Sequence, residues 1–162
     1  MKANNKKNNA VIPHSFPKEE TKLLQQIMLH VFSGMLENAE QLTTKALSSE
    51  QYSNTFKANL LRHLSIISIK KVIYTGQKEM LKIAKNYLNE AVNILQKEYS
   101  EAYKLEFQVE LAQIHNLNSD FDIAEKLYLS ILKNSKNVAN KIVEIRAILG
   151  LGNGFLAQGS FD

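Results

Sequence analysis

QVELAQIHNLNSDFDIAEKLY, residues Gln108–Tyr128, is the stretch that decides how the chain is read. Val109, Ala112, Ile114 and then Ala124, Leu127, Tyr128 recur at the spacing of a helix face, on either side of the turn signal Ser119-Asp120. Helix, tight turn and helix make a hairpin. From Ala112, the next marks fall at His115 (three on), Ser119 (seven on), Ala124 (twelve on) and Tyr128 (sixteen on). Two small residues let the helices approach, and the large ring fills the groove that they leave.

The same marks recur outward in both directions. From Gly152, Phe155 stands three on and the turn at Gly159 seven on; Leu111 and Leu151 precede the two small residues, and Gln108 and Ile148 stand three positions before those. Towards the N-terminus, Ile27, His30, Gly34, Ala39, Thr43 and Ala46 follow the pattern more loosely. The hairpin between reads in two registers three residues apart, one through Ala84, Leu88 and Ala91, the other through Gly76, Leu81 and Leu88. The anchors Ala39, Ala84 and Ala124 step by 45 and 40 residues, which puts the next at 164, past the last residue.

Short breaks at Gly34, Gly76, Ser119-Asp120 and Gly159-Ser160 alternate with longer polar ones at 48–54, 98–100 and 134–137. The apolar spacing between them predicts seven helices, and no stretch sustains a period of two, so no strand is assigned. Residues 1–14 are rich in Asn and Lys with few apolar side chains, and are expected to be a disordered basic tail. Ser15-Phe16-Pro17-Lys18-Glu19-Glu20 reads as a helix start, with a hydroxyl cap, proline in the first turn and acids after it.

The pattern bulky-x₂-Leu-Gly/Ala-x₂-aromatic followed by Ala-x₃-aromatic resembles the tetratricopeptide repeat. The steps near 40 exceed its usual ~34 residues and match a longer variety, in which Leu-Gly-Asn, here Leu151-Gly152-Asn153, is common. The resemblance covers residues 18 to 162. It implies an all-α fold, a right-handed α–α superhelix of about three and a half helical hairpins, over a repeat domain 15–162 with repeats near 18–48, 55–97 and 102–134 and a half repeat at 140–162. The half repeat reads as truncated. Its face Ile148, Leu149, Leu151, Phe155, Leu156 and Phe161 is expected to be an exposed apolar patch, open to self-association.

Composition narrows the chemistry. Of 162 residues 44% are apolar, enough for one domain with a real core. With no cysteine there is no disulfide, thiolate ligand or thiol nucleophile, and no apolar run reaches the ~20 residues of a membrane span. With no secretory leader visible, an intracellular, cytoplasmic protein is expected. The net charge of +4 comes from scattered lysines, and only two arginines, Arg62 and Arg146, are present, which reads against a nucleic-acid surface. The four histidines (His14, His30, His63, His115) form no i,i+4 metal pair. Asp120, Asp122 and Glu125 read as helix-start acids, with Ser119-x-x-Asp122 as a capping box. Gly150-x-Gly152-x-Gly154 lacks the ending of a phosphate loop, and Lys70, Lys71 and Lys78 read as a solvated helix end.

No enzyme, cofactor or metal site is therefore expected. The resemblance implies a module that binds a peptide or partner helix along an inner groove lined by the first helix of each repeat. Carried over from the repeat register, the groove residues are Glu106, Val109, Gln113, Asn116, Arg146, Leu149 and Asn153. An adaptor or scaffold is the first expectation. A ligand-sensing regulatory domain of a larger protein and a small secretion-type chaperone are the alternatives.

Overall fold

The computed structural model describes residues 16–95, 100–138 and 140–159. Among them there are seven helices and no strand: α1 (Lys18–Phe32), α2 (Leu36–Leu47), α3 (Asn54–Thr75), α4 (Glu79–Leu95), α5 (Glu101–Leu117), α6 (Phe121–Val138) and α7 (Lys141–Gln158). The expected basic tail, the Ser15 cap and Phe161 lie outside the described residues.

Side-chain caps start the odd helices α3, α5 and α7. Ser53, Ser100 and Asn140 accept the backbone N–H of Phe56, Tyr103 and Val143 at 3.2, 3.4 and 3.3 Å, satisfying donors that the helix itself leaves open. α1 differs from expectation: Pro17 is its N-cap, just outside the helix, and makes no side-chain cap bond.

Two of the short turns share one geometry. Gly34 is left-handed at φ 76°, its N–H reaching Val31 O while the N–H of Met35 reaches His30 O. Ser119 repeats this at φ 67°, with Ser119 N–H on Asn116 O and Asp120 N–H on His115 O. These paired bonds are the Schellman termination. A serine there accepts a strain of about 1 kcal/mol that glycine would avoid. The geometry corrects the capping-box reading of Ser119: that residue closes α5, and the Asp120 carbonyl opens α6 by accepting from Ile123 and Ala124.

The break expected at 134–137 is helical, because α6 runs on to Val138. The double register of the second hairpin has a structural cause. The left-handed residue lies five positions before the packing alanine in the first and third hairpins (Gly34 to Ala39, Ser119 to Ala124) but eight before it in the second (Gly76 to Ala84). The connections are equally long, but Gly76 stands first in its connection where Gly34 and Ser119 stand second, and Ala84 is the sixth residue of α4 where Ala39 and Ala124 are the fourth of their helices, which shifts one set of marks against the other, while Ala84 and Ala91 are both wholly buried.

Each helix packs on its neighbours in the chain, α1 on α2 through α6 on α7. Beyond these, the substantial contacts are α1 with α3, α3 with α5 and α5 with α7. The odd helices therefore touch one another in series, while no two even helices share a substantial contact. Layers joined on both sides are buried nearly all round. α3 hides Phe56, Leu60, Leu61, Leu64, Ile67 and Ile69, and α5 hides Leu105, Phe107, Val109 and Ala112. The even helices are amphipathic and cover the odd layer with one stripe, as Ala84, Leu88, Ala91 and Leu95 do in α4.

Candidate functional site

Four side chains on three successive odd helices form one charged row. Glu110 projects from the middle of α5 into a wholly buried position, 0% exposed. A lone carboxylate there would be strongly disfavoured. Arg62 of α3 donates to it through Nε at 3.1 Å, and Arg146 of α7 grips both oxygens, Nη1 to Oε1 at 2.9 Å and Nη2 to Oε2. Arg62 also pairs with Glu106, one turn back on α5, at 2.8 Å. The only two arginines of the chain thus converge on a single carboxylate. Planar guanidinium groups suit this use, since each can offer two parallel donors.

The electrostatics follow from the geometry. Burial alone would raise the Glu110 carboxyl, but the charges and hydrogen bonds of Arg62 and Arg146 outweigh it and hold it below its ordinary value. Beside the row, burial first and then Arg62 push His63 down to about 4. His63 is neutral at pH 7, with Nδ1 bonded at 2.7 Å to Asn59 O. The Asn59 amide reaches on to the Tyr103 hydroxyl at 3.3 Å. Burial and the nearby Glu110 push the Tyr128 hydroxyl up to about 12.

A second join lies towards the C-terminal ends of α5 and α7. The Asn116 amide donates to Gly150 O at 2.8 Å. A Cβ at Gly150 would overlap the Tyr128 ring, and one at Gly154 would press on the Asn116 amide. These two glycines let α7 lie close against α5 and α6, and the run is helical, not a phosphate loop. Gly152 differs, since a Cβ there would meet nothing within 4 Å.

The expected groove residues are distributed unevenly. Val109 is 2% exposed and packs in the core with Leu105, Ala124 and Ile131, so the expectation that it contacts a partner is corrected. Glu106 and Arg146 belong to the charged row, and Asn116 holds α7. Gln113 is half-buried, while Asn153 and Leu149 are exposed. Of the expected basic spot, Lys71 is engaged by Glu40 at 2.6 Å. His115 Nδ1 lies 3.1 Å from Asp120 Oδ2, across the turn that closes α5. Asn118 and then His115 hold that Asp120 carboxyl below the usual aspartate range. A cleft of about 180 Å³ empty volume between α5, α6 and α7 is bounded by Asn116, Tyr128, Leu151 and Phe155. Much of that volume is open solvent, and the enclosed part has room for about one water molecule.

Sequence reasoning missed Glu110 and the role of Arg62. A signal existed: Tyr103, Phe107, Glu110 and Ile114 recur at helical spacing, so one carboxylate sits in an apolar stripe.

Among the described residues no helix is long and apolar enough to cross a membrane, and no group of three or more His, Cys, Asp or Glu side chains is placed to hold a metal ion. No protein-family model, no curated protein and no solved structure matches the chain.

Proposed function

We propose that the chain is a non-catalytic interaction module of tetratricopeptide-like type, a right-handed α–α superhelix that holds a peptide or partner helix on the face of its odd helices. The observation that carries this reading is the serial contact pattern, with odd helices touching odd helices and no substantial contact between even ones. Such a pattern suits a curved array whose inner surface is one continuous layer. The charged row supports the same reading, because it ties α3, α5 and α7 at fixed spacing and so pre-organises a face. Gln113 and Asn153, in equivalent positions one repeat apart, are the polar side chains left to clamp an extended backbone.

Selection from a displayed library of extended peptides tests it. The expected result is a family of ligands binding one to one. Their affinity should fall by roughly tenfold or more in Gln113→Ala/Asn153→Ala, as for central interface contacts, at an unchanged thermal midpoint. Ligands that ignore both substitutions sink this placement of the groove.

A further inference from the structure

α7 is apolar on two opposite sides, and the described residues cover only one of them. Val143, Ala147, Gly150 and Gly154 face the rest of the chain. On the far side Ile142 is 71% exposed, Leu149 61% and Leu156 59%, and Ile145, Ile148 and Phe155 are exposed beside them. A helix that is apolar all round is normally buried all round. We infer that this outer face is a self-association surface, on which two copies of the chain pair their α7 helices antiparallel about a two-fold axis passing between positions 150 and 151.

Three observations select this occupant. First, Ile142, Ile145, Leu149, Gly152 and Leu156 follow steps of three and four, the seam of a helix pair. Second, Gly152 leaves a notch in the middle of that seam that none of the described residues fills. A glycine inside a helix weakens it, so close approach by another backbone is its usual reason. Under the stated axis Leu149 of each copy enters the Gly152 notch of the other, and Ile145 faces Leu156, so each contact occurs twice. Such an isologous pairing closes on itself. Third, the exposed apolar side chains of this face present on the order of 600 Å², against about 800 Å² per partner in a standard interface.

Charge does not oppose the pairing. The seam positions carry none, Arg146 at its flank is neutralised by Glu110, and Lys141 pairs with Glu144 within the same copy at 2.8 Å. The opposite end of the array offers a poorer face, since the exposed Leu29 and Phe32 of α1 share it with Lys22, Gln25 and Gln26. Stacking end to end is therefore disfavoured.

Light scattering across a concentration series tests the inference on the whole chain. The expected mass rises from 18.4 kDa to twice that value and no further. Leu149→Glu should weaken association by roughly tenfold or more, as for a charge placed at the centre of an interface, with the dilute protein melting unchanged. Gly152→Ala should do two opposite things, raising the melting temperature of the dilute protein by improving helix propensity and weakening association by filling the notch. A mass fixed at 18.4 kDa up to the solubility limit overturns the proposal. So does growth beyond two copies, or an association indifferent to both substitutions.

Discussion

In α5, Leu105, Val109 and Ala112 are sealed in a cluster with Ala124, Tyr128 and Ile131 of α6 and Val143 and Ala147 of α7. Forty residues on, α7 presents Ile145, Leu149 and Gly152 at the same register positions, and they face outward. The residue types are of one kind and the helical phase is the same. What differs is the neighbourhood: α5 lies between two other odd helices and α7 has one. The pair separates what a repeat pattern encodes, a face fit for burial, from what the packing supplies, the cover itself. Charge differs between them too, for Glu110 of α5 corresponds to Gly150 of α7, and both positions are buried.

The largest expected effect tests the α5 side. Glu110→Ala removes the shared acceptor, leaving Arg146 without its hydrogen-bond partner and Arg62 with Glu106 alone, a loss of about 3–5 kcal/mol for breaking a buried pair. Urea titration should show it as a much earlier midpoint. A drop below about 1 kcal/mol, the scale of an exposed ion pair, would mean that the row is solvated and that α5 is no more locked than α7.

Acid should act on the same half of the comparison. His63 is held neutral down to about 4, whereas in the unfolded chain it titrates near its ordinary 6.5. As pH falls below 6.5 the unfolded state takes up a proton that the folded state refuses. Stability is therefore full above 6.5 and declines towards pH 4, by up to ~3 kcal/mol. Glu110, depressed below its ordinary 4.5, adds a further loss beneath that pH. Denaturation midpoints at pH 7.5 and 5 measure the slope, and His63→Gln should flatten it. The α7 seam holds no titrating side chain, so association of the folded protein should stay constant over the same interval.

The smallest effect is the most direct comparison. Val109→Ala should cost about 2 kcal/mol, from the transfer of two carbons and the cavity left behind. Leu149→Ala, at the matched position of α7, should shift the stability of the dilute protein by no more than about 0.5 kcal/mol. Equal losses would show that the outer face of α7 is covered in solution.

Much of the all-α fold was legible because the features that encode it are local. Gly34, Gly76, Ser119 and Gly159 mark left-handed turns, and apolar spacing marks the helices between them. The charged row was not legible in that way. Glu110 meets Arg62 at a separation of 48 residues and Arg146 at 36, and nothing local to a glutamate reveals that neighbouring helices will close over it. Val109 misled for a related reason. Its register matched a groove position, but a helix flanked on both sides keeps little free surface, and of its groove candidates only Gln113 retains a half-exposed side chain without a role in the packing described above. The second hairpin blurred the repeat because its packing alanine lies deeper in α4 and its left-handed glycine earlier in the turn, and the sum of three residues looks, from spacing alone, like a shift of one helical turn.

The serial contacts also set an order of assembly. A chain whose helices meet chiefly their neighbours can fold from one end while the other is still being made, since each hairpin closes only a short loop. Glu110 is synthesised between its two partners. Arg62 is already in place when α5 docks, and the carboxylate keeps an open side until Arg146 arrives 36 residues later. Docking of α7 is the step that shuts this charge away from water, so α7 acts as the latch on a core laid down well before it.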